Sequence, residues 1–247
     1  VIALIDGDVL VYVIGFSSQT TDKENDCIIP EEEWIAKARM DTQIKNIQQI
    51  TGANDYKIYL SDSKNNFRKQ LFPLYKANRT QEKPFHYELL INYLLDVYDT
   101  EVAFDQEADD ALGIHQCQNP DTIICSIDKD LLQIPGKHYD FRKDVFHSIK
   151  PTEGLYRFYK QILVGDSTDN ITPATGLSCP GVGEKRAAAV LEGCTNESEY
   201  FAAVKDMYFK KVSGTEQEIL DRLLLTGQLL KIRTKPEELW SFPIISN

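Results

Sequence analysis

Five apolar residues open the chain without a break: Val1-Ile-Ala-Leu-Ile5, rich in β-branched side chains, stopping at Asp6-Gly-Asp8. A continuous run of this kind predicts a strand covered on both faces. Because the chain starts inside that core strand, residues are expected ahead of Val1. Residues 9–16 read as helical, and residues 17–30 are polar and turn-rich. Ile35, Ala38, Ile44, Ile47 and Ile50 then recur near helical spacing, predicting a long amphipathic helix over residues 31–50 that Gly52 ends. Tyr56-Lys-Ile-Tyr-Leu60 predicts a second strand stopping at Ser61-Asp62, and a helix is predicted over residues 87–97. A third strand near residues 101–104 leads into Glu107-Ala-Asp109-Asp110 and a helix through His115. Thr122-Ile-Ile-Cys-Ser126 predicts a fourth strand, followed by Asp128-Lys-Asp130. Alternating strands and helices predict an open parallel sheet with helices on both faces. From Pro151 onward the pattern is helical, with turn material at residues 172–183 and no clear strand. The expected division is therefore an α/β core over residues 1–150 and a helical part over residues 151–247, packed as one unit.

At 247 residues, with 42% hydrophobic and 26% charged residues, the composition is that of a soluble globular protein. No apolar run approaches the roughly 20 residues of a membrane span, and no signal-peptide pattern opens the chain. The five cysteines are scattered and form no C-x-x-C pair, which argues against a disulfide framework or a zinc site and fits a reducing cytoplasm.

Charge changes the picture. The net charge is −11, whereas a nucleic-acid binder is usually basic. Yet each predicted parallel strand is followed at once by acid: Asp6 and Asp8, then Asp62, then Glu107, Asp109 and Asp110, then Asp128 and Asp130. A lone Asp after a strand is usually a turn former or helix N-cap. Acid after all four strands, at the edge where open α/β sheets bind ligands, points to one site. In Gly165-Asp166-Ser-Thr-Asp169-Asn170 two more aspartates stand three apart after a helix predicted over residues 152–164. If that helix continues, they share a face. Setting Asp8 aside, these acids account for nine of the eleven surplus negative charges. So many neighbouring carboxylates need a compensating cation, and an all-oxygen donor set suits Mg²⁺. Two such ions can activate a water and stabilise a leaving oxygen at phosphorus. Calcium storage fits less well, because no EF-hand spacing is present.

Between Lys57 and Tyr87 the balance reverses, with seven basic residues against two acidic ones. Within this stretch Lys76 and Arg79 are candidates to grip a scissile phosphate, and Arg68 and Lys83 extend the track. Phe72 and Tyr75 offer faces for base stacking, with core packing as the alternative. Further on, Pro180-Gly181-Val182-Gly183-Glu-Lys185-Arg186 joins a Gly-x-Gly turn to a basic helix start. This suits a helix–hairpin–helix gripping duplex backbone; a plain helix connection is the alternative.

Together Asp6-Gly, Ser61-Asp62, Tyr75-Lys76-Ala-Asn-Arg79, Glu107-Ala-Asp109-Asp110, Ser126-Ile-Asp128-Lys-Asp130, Gly165-Asp166-Ser-Thr-Asp169 and Pro180-Gly-Val-Gly resemble the structure-specific 5′ nucleases. That family includes phage 5′→3′ exonucleases, flap endonucleases and the 5′-nuclease domain of bacterial DNA polymerase I. The resemblance implies a PIN-like (FEN-like) α/β fold with a helical C-terminal part, two Mg²⁺ or Mn²⁺ ions, DNA as partner and 5′-phosphate products. Asp6, Asp62, Glu107 and Asp109 would centre on the first ion, with Asp110 nearby. Asp128, Asp130, Asp166 and Asp169 would hold or water-bridge the second. Lys76 and Arg79 match the catalytic basic pair, and the turn from Gly181 to Lys185 matches a potassium-assisted duplex-binding motif. The expected place of work is the cytoplasm, that of the host if a phage encodes the chain.

Three departures stand out. Asp8 occupies a position that is not acidic in much of the family and ranks below the nine. The stretch between Arg79 and Tyr87 is short where many relatives carry a long helical arch, which favours attack on ends or gaps. The loop over residues 170–180 is longer than usual. The expectation is a 5′→3′ exonuclease with flap or gap endonuclease activity as a variant. A PIN-type ribonuclease and a non-catalytic DNA-binding scaffold are the alternatives.

Overall fold

The computed structural model describes residues 1–25, 27–80 and 82–244. In chain order the elements are β1 (Ile2–Asp6), α1 (Gly7–Ser17), β2 (Gln19–Asp22), β3 (Cys27–Pro30), α2 (Glu33–Thr51) and β4 (Asp55–Ser61). They continue with α3 (Phe67–Leu71), α4 (Tyr87–Val97), β5 (Thr100–Ala103), α5 (Ala108–Gln118), β6 (Thr122–Cys125), β7 (Gly136–Asp140) and β8 (Val145–Ile149). The chain closes with α6 (Pro151–Val164), α7 (Glu184–Val190), α8 (Glu197–Lys211) and α9 (Glu216–Leu230). Two compact units emerge. One comprises Val1–Asn65, Gln81–Leu131 and Gly136–Ser148; the other comprises Asn66–Thr80, Leu132–Pro135 and Ile149–Asn247.

The first unit is built on a six-stranded sheet of order β5-β4-β1-β6-β7-β8. β1 pairs in parallel with β4 and β6, β4 with β5, and β6 with β7. Strand side chains alternate between faces, so a segment covered on both faces must be apolar there. β1 and β6 are apolar along most of their length, and β4 is apolar over Ile58-Tyr-Leu60, after the polar Asp55 and Lys57. Ala3, Ile5, Ile58, Leu60, Ile123 and Cys125 join Leu10, Val11 and Ile14 of α1, Met40, Ile44 and Ile47 of α2, and Leu90 and Leu94 of α4. The intervening Leu4 and Ile124 are equally buried, and α5 covers that side, packing on β1, β4 and β6. Gly7 makes the strand-to-helix turn close-fitting, since a Cβ there would lie 2.7 Å from the Tyr59 carbonyl oxygen.

The expected alternation is present, with additions. Residues 17–30 contain the antiparallel β2–β3 hairpin rather than irregular chain. β7 and β8 extend the sheet beyond the four anticipated strands; Gly-Lys-His-Tyr-Asp carries too little apolar periodicity to announce a strand, and its pairing with β6 creates one.

The second unit is helical. Phe158, Tyr159, Ile162 and Leu163 of α6 pack with Phe201, Val204 and Tyr208 of α8, Leu223 and Leu229 of α9, and Trp240. Among the described residues no helix is long and apolar enough to cross a membrane.

Candidate active site

Within the sheet unit the acids gather at the carboxyl ends of adjacent parallel strands. Asp6 ends β1 and caps α1: Oδ1 accepts the Val9 amide at 3.1 Å, and Oδ2 accepts the Ser126 hydroxyl at 2.7 Å. The Ser126 oxygen accepts the Asp128 amide at 3.0 Å, and Asp128 Oδ1 accepts the Asp130 amide at 2.8 Å. Asp6 is only 1% exposed. Burial, followed by the charge of Asp8 and more weakly that of Asp128, pushes its carboxyl up to about 7, despite the opposing bonds from Ser126 and Val9.

Asp62 follows β4 and spends its carboxylate mainly on its own turn. It accepts the amides of Lys64 at 2.9 Å, Asn65 at 3.0 Å and Asp105 at 3.4 Å, together with the Asn65 side-chain amide at 3.2 Å. Chiefly the Asn65 and Lys64 amides hold its carboxyl down at about 2. Glu107 caps α5, whose first turn holds Asp109 and Asp110 and welcomes negative charge. Asp110 is fully buried and accepts the Glu107 amide at 3.2 Å, the reciprocal half of a capping box. Among the described residues no three acids, histidines or cysteines form a ready metal-holding group. Asp62, Asp110 and Asp128 instead accept nearby backbone amides.

Asp166 and Asp169 lie in the helical unit, and the condition for their sharing a helix face, a turn continuing past residue 164, is not met. α6 ends at Val164, and Gly165 at φ 81° turns the chain out of the helix. Asp166 and Ile171 then pair in an isolated antiparallel bridge. Asp166 Oδ1 accepts the Thr168 amide at 2.7 Å, so the two aspartates share a tight loop rather than a helix face. Three residues of the same unit converge on the Asp169 carboxylate: the Tyr75 hydroxyl at 2.8 Å, Arg79 Nη2 at 2.7 Å and Lys76 Nζ at 3.8 Å. The Lys76 amide donates to the Asp169 carbonyl at 3.0 Å, and Asn78 and Asn170 clamp the two loops further. Lys76 and Arg79 are thereby placed beside Asp169.

Other basic-loop residues fall elsewhere. Arg68 was expected on a surface track, but it is 2% exposed in the short helix α3. Its guanidinium donates to the carbonyls of Leu229 and Lys231, each at 2.8 Å, which commits it to holding the C-terminal part. Tyr75 is likewise buried, so its ring packs in the helical core instead of offering a stacking face. Lys83 belongs to the sheet unit, pairing with Glu88 at 3.0 Å and lying over the Tyr87 ring. At the Gly-x-Gly turn, Gly181 adopts φ 67°, Val182 anchors in the core and Gly183 caps α7. Lys185 and Arg186 are exposed on the first turn of α7. Arg222 steadies the preceding loop through the carbonyls of Leu177 and Ser178, at 2.7 and 2.9 Å.

The sequence model of a family described as 5′-3′ exonuclease, N-terminal resolvase-like domain, matches residues 1–159. The chain belongs to this family. A 5′-3′ exonuclease of Halalkalibacterium halodurans is 27% identical over 72% of the chain, and the match spans 65% of that relative's length. Among solved structures, phage T5 5′-exonuclease with divalent zinc ions bound superposes with a TM-score of 0.65 at 18% identity, covering 94% of this chain and 90% of that one. A phage T5 flap endonuclease in a complex with DNA and metal ions gives 0.60 at 18% identity, over 93% and 85%. These likenesses establish a shared fold.

In this 5′-3′ exonuclease family member three residues matter to the geometry beyond the anticipated set. Ser126 links Asp6 to Asp128. Ser61 accepts the Ala108 amide on its hydroxyl at 2.9 Å, linking the end of β4 to the start of α5. Asp8 accepts the Ser61 amide on both carboxylate oxygens, at 3.3 and 3.1 Å. Ser61 ends β4 and Ser126 directly follows β6, and they stand one and two residues before an acid, which is the one signal in sequence that marks them.

Proposed function

We propose that this chain is a divalent-metal-dependent 5′→3′ exodeoxyribonuclease, with flap or gap endonuclease activity as a variant. It hydrolyses DNA phosphodiesters to leave 5′-phosphates. The carrying observation is acid at the carboxyl ends of adjacent parallel strands around the buried Asp6, in a chain of the 5′-3′ exonuclease family. The residues fit hard divalent cations, because the donors they offer are all oxygen. Asp6, Asp62, Glu107 and Asp109, with Asp110 nearby, are the proposed holders of one Mg²⁺ or Mn²⁺. Asp128, Asp130, Asp166 and Asp169 are those of a second. Bound, such ions supply an activated water and stabilise the leaving oxygen.

The chain's own residues have separate tasks. Lys76 and Arg79 neutralise charge developing on the scissile phosphate. The turn Gly181–Lys185, with Arg186, grips duplex backbone as a helix–hairpin–helix in which K⁺ assists. The metal- and DNA-bound state of the T5 relatives supports this reading.

End-labelled duplex, flap and RNA substrates test it with Mg²⁺ or Mn²⁺. Wild type is expected to cleave DNA, and Asp130→Ala to abolish cleavage while keeping duplex binding, because removing an acid near phosphates does not weaken attraction. Cleavage of RNA alone, or of no nucleic acid, overturns the proposal.

A further inference from the structure

The β1–β4 ladder stops where β1 becomes α1, with Asp6 opposite Tyr59 as its last rung. The Ile58 amide donates to Asp99, on the β5 side of β4. Amides alternate along a strand, so those of Tyr59 and Ser61 face β1. The next rung would send the Ser61 amide to the Gly7 carbonyl, but Gly7 starts α1 and the helix takes that carbonyl for its own ladder. An amide in this position must find another acceptor. The Asp8 carboxylate provides it, at 3.1 and 3.3 Å across 53 residues of sequence.

We infer that Asp8 is a positioning residue, its carboxylate replacing the missing rung and holding the ends of β1 and β4 in the register that spaces Asp6 from Asp62. The bond reaches further than one pair of strands. Ser61 hydroxyl oxygen accepts the Ala108 amide at 2.9 Å, so the start of α5, with Glu107 and Asp109, is fixed to the same point. A residue that aligns ligands without touching the ion acts as an outer-shell partner, whose loss commonly lowers metal affinity ~10–100-fold. The inference rests on the metal-dependent reading above.

The test measures Mn²⁺ binding to the full chain by calorimetry without DNA, alongside thermal unfolding. Asp8→Ala is expected to bind Mn²⁺ at least ~10-fold more weakly. Asp8→Asn keeps an acceptor oxygen and is expected to remain within about threefold of wild type, a rescue that a purely electrostatic role does not give. Equal affinity in wild type and Asp8→Ala overturns the inference, as does an Asp8→Asn that falls as far as Asp8→Ala. Hydrogen exchange of the Ser61 amide in Asp8→Asn gives a second measurement that does not depend on Asp8→Ala folding. Protection kept together with Mn²⁺ affinity supports the role; protection kept while affinity is lost overturns it. A wild type that binds no Mn²⁺ sinks the metal-dependent reading, and this inference with it.

Discussion

Ser126 and Asp6 lie 120 residues apart in sequence, yet the serine hydroxyl donates to Asp6 Oδ2 at 2.7 Å. The same oxygen accepts the Asp128 amide, so one side chain ties the ends of β1 and β6 together where two proposed ligands stand. Ser126→Ala leaves both partners short of a bond in a buried setting. The expected cost is about 1–3 kcal/mol in denaturant unfolding, together with weaker Mn²⁺ binding. Unchanged unfolding and metal affinity would show that the hydroxyl does not organise the site.

Burial beside Asp8 gives the metal-free protein a particular pH dependence. The Asp6 carboxyl rises from 3.8 to about 7 in the folded state, so the folded chain keeps a proton that the unfolded chain releases. That contribution is complete below about pH 3.8 and is lost as pH rises through about 7. Metal-free wild type is therefore expected to lose stability between those limits relative to Asp6→Asn, in urea titrations at several pH values. Parallel profiles for the two proteins would remove the basis for the effect.

The Tyr75 hydroxyl, Lys76 and Arg79 all address Asp169. Tyr75→Phe removes a hydrogen bond to a charged group and is expected to cost about 1.5–3 kcal/mol of stability. Lys76→Ala and Arg79→Ala are expected to lower single-turnover cleavage of a 5′-labelled duplex roughly 10²–10³-fold, with much smaller changes in duplex binding. A loss of binding with the cleavage rate intact would reassign the pair to substrate docking.

Arg68 gives the opposite expectation. Its buried guanidinium satisfies two carbonyls of the C-terminal stretch, so Arg68→Ala should destabilise the protein by about 2–4 kcal/mol. Duplex affinity of the folded fraction should stay at the wild-type value. Weakened affinity at wild-type stability would return Arg68 to the nucleic-acid surface.

The apolar run of β1 was legible as a doubly covered strand because burial on both faces leaves little room for polar positions; β4 and β6 were legible as strands, and the acid following each of the three marked the sheet's carboxyl edge. The seven motif blocks likewise carried the family by residue type and order alone. Less could be read where the decisive partner is remote. Nothing in Phe-Arg68-Lys announces a buried arginine, because the carbonyls that hold it lie more than 160 residues away. The end of the helix at residue 164 was legible, but spacing could not tell whether a helical turn carried on through Asp166 and Asp169, which share a loop instead. β7 exists as a strand because β6 offers it an edge.

Asp8 shows the division within one residue. Its sequence position identified an extra acid beside a strand end, of the same type as its neighbours. Its partner was decided only in three dimensions, where a helix claims the Gly7 carbonyl and leaves the Ser61 amide to a side chain. Residue type and local order determined which chemistry this chain carries. Tertiary structure decided which backbone amides each carboxylate accepts, because backbone amides leaving a ladder must be satisfied by whatever the fold brings near.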